Sequence, residues 1–101
     1  MKKIIVLSPK SCEKIISEIF YELHVPIFSK VDIEGYKNED SEVDIRNWFG
    51  GGKEFDFSVM FFAFVKDNVA QKVLDSIEKW NKQNVTKNPM HAYMVAVERS
   101  V

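Results

Sequence analysis

The side chains that could carry chemistry are few in this sequence and lie far apart. It contains one cysteine, Cys12, and two histidines, His24 and His91. A cysteine beside a histidine can form a nucleophile, and histidine can bind a metal ion, but the fold must first bring such groups together. The local signatures of hydrolases, zinc proteases and phosphate-binding loops are absent from the sequence. We therefore predict that the protein is not an enzyme.

A run of acidic residues is the second group with chemical potential. Glu39, Asp40, Glu42 and Asp44 fall within six residues of one another. Carboxylate oxygens of this kind can bind a hard cation such as Ca²⁺. Acidic runs are more often simply solvated, so we assign no metal ligand to this segment.

Two aromatic residues stand directly before three glycines. Trp48 and Phe49 precede the run 50–52, in which every residue is glycine. Glycine leaves the backbone free to adopt many conformations, and large aromatic side chains are good anchors in protein interfaces. We predict that Trp48 and Phe49 bind a partner protein; the alternative is that they pack against their own protein.

Composition narrows the class of protein. The 101 residues suffice for one domain, and a net charge of −1 gives no basic field for general nucleic-acid binding. A single cysteine excludes an internal disulfide and is typical of a reducing compartment. The N-terminal apolar run, Ile4 to Leu7, is too short for a signal peptide or a membrane span. We therefore expect a cytoplasmic protein that does not insert into a membrane.

The periodicity of apolar residues predicts six elements. Alternating patterns predict strands over 3–7, 27–34, 53–65 and 91–98, and apolar stripes at helical spacing predict helices over 11–24 and 67–83. Ser11 would cap the first helix, and residues 36–52 would form a long loop. The order β-α-β-β-α-β predicts an α+β ferredoxin-like sandwich, a four-stranded antiparallel sheet with both helices on one face. The whole chain, 1–101, would form this single domain.

The third strand is apolar on both faces. Its odd positions are apolar throughout: Phe55, Phe57, Val59, Phe61, Ala63 and Val65. Its even positions become apolar at Met60, Phe62 and Phe64. Helices on one face of a small sheet leave the other face in water. This short chain cannot cover a second apolar face, so we predict that a partner subunit does.

Three short segments suggest a family. Residues 1–4 (Met-Lys-Lys-Ile) begin the first strand, with Pro9 after it; residues 32–36 (Asp-Ile-Glu-Gly-Tyr) precede the long loop; and residues 64–68 (Phe-Val-Lys-Asp-Asn) precede the second helix. In these segments, and in its order of elements, the chain resembles the PII superfamily of small trimeric signalling proteins. The resemblance implies a homotrimer that regulates a partner, such as a membrane transporter, through the long loop.

The resemblance also implies an effector site in the cleft between two subunits, where family members bind an adenine nucleotide. The expected basic residue of the third strand is replaced by Ser58, the turn 84–89 contains no glycine, and a family lysine corresponds to His91. The paired C-terminal arginines of the family are reduced to Arg99. The implied effector is an adenine nucleotide held in an unusual way, or a smaller ligand. The implied ligand-binding residues are Ser29, Gly35, Tyr36, Lys53, His91 and Arg99.

Two other functions fit the same fold. The first is a trimeric divalent-metal-binding protein of heavy-metal tolerance, which needs no phosphate site and would use His91 as a ligand. The second is the effector domain of an amino-acid-responsive regulator, which is less favoured because the sequence shows no DNA-binding helix pair. The regulatory interpretation is the one that the resemblance favours.

Overall fold

In the computed structural model of the chain, the helices and strands follow one another in the predicted order. The structure describes residues 1–36, 55–86 and 88–101, and for residues 55–57 it describes the backbone only. Several predictions lie outside these residues: the loop beyond Tyr36, the acidic run, Trp48, Phe49, Lys53, and the side chains of Phe55 and Phe57. The elements are β1 (Lys2–Pro9), α1 (Glu13–Glu22), β2 (Ser29–Tyr36), β3 (Phe55–Val65), α2 (Asp67–Gln83) and β4 (His91–Ala96).

The four strands form one antiparallel sheet in the order β2-β3-β1-β4. The central pair, β1 and β3, is aligned so that Ile4 lies opposite Ala63 and Val6 lies opposite Phe61. These side chains are buried together with apolar residues of both helices, including Ile16, Phe20, Ala70, Val73 and Ile77. Both helices therefore pack on the same face, and the predicted α+β ferredoxin-like fold is confirmed.

An aromatic cluster joins α1 to the sheet. The ring of Phe20 meets those of Phe28 and Phe61 edge-on, with centroids 5.1 and 5.8 Å apart. Edge-to-face contacts of this kind add about 0.5–1.5 kcal/mol beyond the burial of apolar area. Phe28, just before β2, thus fastens the start of the β2 edge to the core.

The prediction that Ser11 caps the first helix is wrong. Residues Lys10–Cys12 form a 3₁₀ turn, α1 begins at Glu13, and the N-cap residue Cys12 makes no side-chain cap hydrogen bond. The Ser11 hydroxyl lies 4.0 Å from the Cys12 sulfur instead. The physical reason is that the chain leaves β1 at Pro9, and the tight turn that follows takes up the residues predicted to begin the helix.

The second strand lies two residues further along the chain than predicted. It covers Ser29–Tyr36, so that Gly35 is a buried residue within the strand and does not end it. Lys30 lies opposite Phe61 and Asp32 lies opposite Val59. Because directly opposed residues share a face of the sheet, the charged side chains of β2 lie on the side of the helices.

The face of the sheet away from the helices is apolar. Cross-strand pairing places on this open face the side chains of Ile5, Leu7, Val31, Ile33, Met60, Phe62, Phe64, Tyr93 and Val95. Phe64 is 50% exposed, Val95 48% and Val31 41%. The prediction that Met60, Phe62 and Phe64 form a second apolar face is confirmed. One cation also lies here: the Lys3 ammonium is 5.1 Å from the Phe62 ring centroid and 5.9 Å from that of Phe64.

The end of α1 is closed by a Schellman motif. The Val25 N–H donates to the Phe20 carbonyl (2.9 Å), and the His24 N–H donates to the Tyr21 carbonyl (3.2 Å). His24 occupies the left-handed position of the motif with φ = 57°. Glycine is the usual residue there because a Cβ atom raises the energy of this conformation.

Within the described residues, neither α1 nor α2 is long and apolar enough to cross a membrane.

We expect His24→Gly to stabilise the fold by about 0.5–1 kcal/mol, because glycine adopts the left-handed conformation without the Cβ penalty. His24→Ala keeps the Cβ atom and should give no such gain. Urea unfolding monitored by circular dichroism measures both. Equal effects of the two substitutions would show that His24 matters through its imidazole and not through its backbone.

Candidate functional site

The predicted ligand-binding residues lie on the two opposite edges of the sheet. Ser29, Gly35 and Tyr36 belong to β2, and His91 is the first residue of β4. The row that contains His91 runs through Leu7 and Met60 to Val31 on the other edge. Three strand spacings separate its ends by roughly 14 Å. A small ligand therefore cannot contact the β2 residues and His91 within one subunit.

At the far end of β2, Tyr36 is linked to its own strand. Its hydroxyl donates a hydrogen bond to the Glu34 carboxylate (2.6 Å). This hydrogen bond, together with the negative charge of Glu34, raises the pKa of Tyr36 above its ordinary value. Tyr36 thus remains a protonated donor at neutral pH, at the last described position before the predicted loop.

Ser29 and Arg99 lie at the other end of the sheet. Ser29 begins β2, and Arg99 lies two residues beyond Val97, whose N–H donates to the Met1 carbonyl (3.4 Å). A largely apolar pocket of about 280 Å³ opens at this end, lined by Met1, His24, Pro26, Phe64, Val65, Lys66 and Val69. It can take a flat apolar group against the exposed Phe64 ring.

His91 pairs with Leu7 on the open face, and the start of β4 also borders a second cavity, which sequence reasoning missed. This α2–β4 cavity has a volume of about 400 Å³ and is lined by Leu74, Ile77, Glu78, Asn81, Lys82, Met90, His91 and Ala92. Its polar rim comes from Glu78, Asn81 and Lys82, spaced i, i+3 and i+4 beside the apolar stripe of α2. That spacing is visible in the sequence, but the packing of this side of α2 along β4 is not.

One wall of the cavity is held by the side chain of Asn81. Its amide nitrogen donates to the Met90 carbonyl (2.8 Å), and its amide oxygen accepts from the Met90 N–H (3.1 Å). Met90 is buried. Asn81 therefore satisfies both backbone groups of the residue before β4 and fixes the start of that strand against α2.

The electrostatics at His91 favour its neutral form. Burial lowers the pKa of His91 below its ordinary value of 6.5, because charging a partly desolvated imidazole is unfavourable. The charged groups that line the same cavity, Glu78 and Lys82, form an exposed ion pair at 3.2 Å. No three His, Cys, Asp or Glu side chains within the described ranges lie together as a metal site would require.

Asn81→Ala should destabilise the fold by about 1–3 kcal/mol, because it leaves the buried N–H and carbonyl of Met90 without partners. The control is Asn84→Ala on the same helix, which removes an exposed hydrogen bond to the Trp80 carbonyl (2.9 Å). We expect the control to change stability by less than about 0.5 kcal/mol. Chemical denaturation distinguishes the two; similar losses would mean that Asn81 does not hold the start of β4.

Stability should fall as pH decreases below about 6.5, in part because of His91. A histidine whose pKa is lower when folded binds its proton more readily in the unfolded state, so acid favours unfolding. His91→Gln should therefore flatten the dependence of the unfolding free energy on pH between about 7.5 and 5.5. Carboxylate titration is common to both proteins and cancels in their difference. Identical slopes would contradict the burial of a neutral His91.

Comparisons with known proteins bear on the fold. Neither the models of protein families nor the curated protein sequences match this chain. Solved structures do match. A protein of Thermus thermophilus described as a PII-like signalling protein is 16% identical, with a TM-score of 0.65 over 93% of this chain and 83% of its own.

The nitrogen regulatory PII-like protein CPII of Thiomonas intermedia was solved with ADP, AMP and bicarbonate bound. It is 11% identical, with a TM-score of 0.63 over 99% of this chain and 94% of its own. At such low identity, the likeness establishes the fold. The chain therefore has the PII-like fold, as the resemblance in its sequence predicts.

Proposed function

We propose that this chain is a PII-like regulatory protein that binds a small effector between subunits. The observation that carries the proposal is the split of the predicted ligand-binding residues between the two edges of the sheet. Gly35 and Tyr36 cannot reach His91 within one subunit, but the β2 edge of one copy can lie beside the β4 edge of the next. Gly35, Tyr36 and His91 then meet only in an assembly.

The open face gives an independent reason for assembly. Its apolar side chains come from all four strands, and several of them are extensively exposed. An exposed apolar surface of this extent marks an interaction site. A homotrimer in which the open faces turn inward would bury it, and it would place β2 and β4 edges of neighbouring copies side by side.

An adenine nucleotide is the first candidate for the effector, since the PII-like protein CPII was solved with ADP and AMP. A triphosphate needs several cations or a nest of backbone N–H groups. Of the described predicted ligand residues, only Arg99 carries a permanent positive charge, and it lies at the other end of the sheet from Tyr36 and His91. A nucleoside mono- or diphosphate therefore fits this chain better than ATP.

Regulation would pass from the cleft to the segment that follows Tyr36. Tyr36 lies next to the proposed effector and directly precedes the segment that carries Trp48 and Phe49. We propose that this segment contacts the regulated partner, with the two aromatic side chains as anchors. A membrane transporter is the candidate partner, and a cytoplasmic location suits a protein with a single cysteine.

Binding of AMP or ADP should raise the melting temperature of the purified protein, because a ligand that binds only the native state stabilises it. The gain is about 2.7 kcal/mol at a ligand concentration near 100 times Kd. His91→Ala and Tyr36→Phe should weaken the shift, whereas Lys79→Ala, on an exposed part of α2, should leave it unchanged. Differential scanning fluorimetry with AMP, ADP, ATP, bicarbonate and 2-oxoglutarate measures these shifts.

The same series, extended with Zn²⁺ and Cu²⁺, separates the alternatives. An assembled protein that none of these ligands stabilises would refute the effector class. A shift with Zn²⁺ or Cu²⁺ alone that is lost in His91→Ala would favour the metal-binding function, which stays a prediction from the sequence.

A further inference from the structure

The two edges of the sheet differ in chemistry. On the side of the helices, β2 carries Lys30, Asp32 and Glu34, whereas β4, with the sequence His-Ala-Tyr-Met-Val-Ala, carries no Lys, Arg, Asp or Glu. Among the described strands, none pairs with the outer edge of either one. Proteins usually protect such edges with charges, prolines or bulges. The lack of these devices in β4 indicates an edge that another strand covers.

Charged side chains stand beside the β4 edge on the neighbouring helix. Glu78 and Lys82 line the α2–β4 cavity. Since β3 and β4 both run antiparallel to β1, they are parallel to each other, and α2, which connects them, runs opposite to β4. In the direction from His91 to Ala96, the edge of β4 therefore lies beside Lys82 first and beside Glu78 second. Four helical residues separate these two along the helix axis by about 6 Å.

The charges of β2 match this spacing. Asp32 and Lys30 are two residues apart on one face of the strand, a distance of about 6.6 Å. A β2 strand that runs antiparallel to β4 presents Asp32 first and Lys30 second. Asp32 would then face Lys82, and Lys30 would face Glu78. In the parallel orientation both contacts would join like charges, so the charge pattern selects the antiparallel orientation.

We propose that the β2 edge of a second copy adds antiparallel to the β4 edge of the first, with ion pairs from Asp32 to Lys82 and from Lys30 to Glu78. Within its own subunit, Asp32 lies 3.4 Å from Lys10, and Lys30 lies 3.0 Å from Glu13. Both of these ion pairs within the subunit are partly exposed. Each contact with the second copy would therefore add a charged side chain to an existing ion pair.

This edge contact is head-to-tail, because it joins different surfaces of the two copies. Contacts of this kind build a closed ring when the rotation between copies closes. On the open face, Val31 and Ile33 of the incoming strand would continue the apolar surface beside Tyr93 and Val95. The contact would also bring Tyr36 of one copy toward His91 of the next. This consequence for the effector site rests on the proposed function.

The test exchanges charges on α2. The double variant Glu78→Lys, Lys82→Glu preserves net charge and an i,i+4 pair on the helix but reverses the pattern that the incoming strand meets. Its matched control is Asp75→Lys, Lys79→Glu, an exposed pair at the same spacing outside the cavity. Sedimentation over a dilution series gives the dissociation constant of the oligomer, and circular dichroism verifies the fold.

At about 50 mM salt, the exchange at Glu78 and Lys82 should raise the dissociation constant roughly tenfold or more, and the control should change it less than about twofold. At about 1 M salt, the difference should largely disappear because salt screens exposed charges. Equal behaviour of the two variants at low salt would overturn the proposal.

A second exchange tests the opposite edge. Lys10→Glu, Glu13→Lys, Lys30→Glu, Asp32→Lys reverses both charge pairs beside β2 while keeping each pair complementary within its subunit. Combined with the α2 exchange, it should restore assembly to near the wild-type level; failure to do so would count against the named contacts. A monomeric wild-type protein would overturn this inference and the shared site together. An unaffected oligomer that still responds to AMP or ADP would overturn only the edge contact.

Discussion

The two helices cover only one face of the sheet, whereas its central strand β3 is apolar on both faces. On the covered side, Val59 and Phe61 pack beneath α1 and α2 and form the core. On the other side, Met60, Phe62 and Phe64 are directed away from the helices. The helix-covered side therefore forms the core, whereas the other side retains an apolar surface, and burial of that surface is the strongest force available for assembly.

The same topology decides where a ligand can bind. With the order β2-β3-β1-β4, the strand that leads into the predicted loop and the strand that begins at His91 are the two edges of the sheet. Residues that act together at a cleft must then come from different copies. The phosphate-binding chemistry that the family resemblance implies is reduced in this chain, with Ser58 and His91 at positions where a PII-like protein would carry a positive charge. This reduction is the reason that the effector we propose is less highly charged than ATP.

Much of the fold could be predicted from the sequence, because alternation and helical periodicity are local patterns. The order of elements, both faces of β3 and the placement of α2 followed directly from such patterns. The predictions that failed concern ends of elements. The 3₁₀ turn at Lys10–Cys12 replaced the expected cap at Ser11, and the docking of Phe28 on Phe20 and Phe61 accompanied the shift of β2 by two residues. In both places, tertiary packing determined the boundary and local propensity did not.

By itself, the sequence determined the fold class and the existence of a second apolar face, because the two-residue period of a strand is visible in the types of consecutive residues. Only the tertiary structure decided which residues share a site. The separation of Tyr36 from His91, the fixing of Met90 by Asn81, and the position of Glu78 and Lys82 beside β4 all depend on contacts between segments distant in the chain. Such contacts depend on how segments far apart in the chain pack together, which a local pattern of residues does not specify.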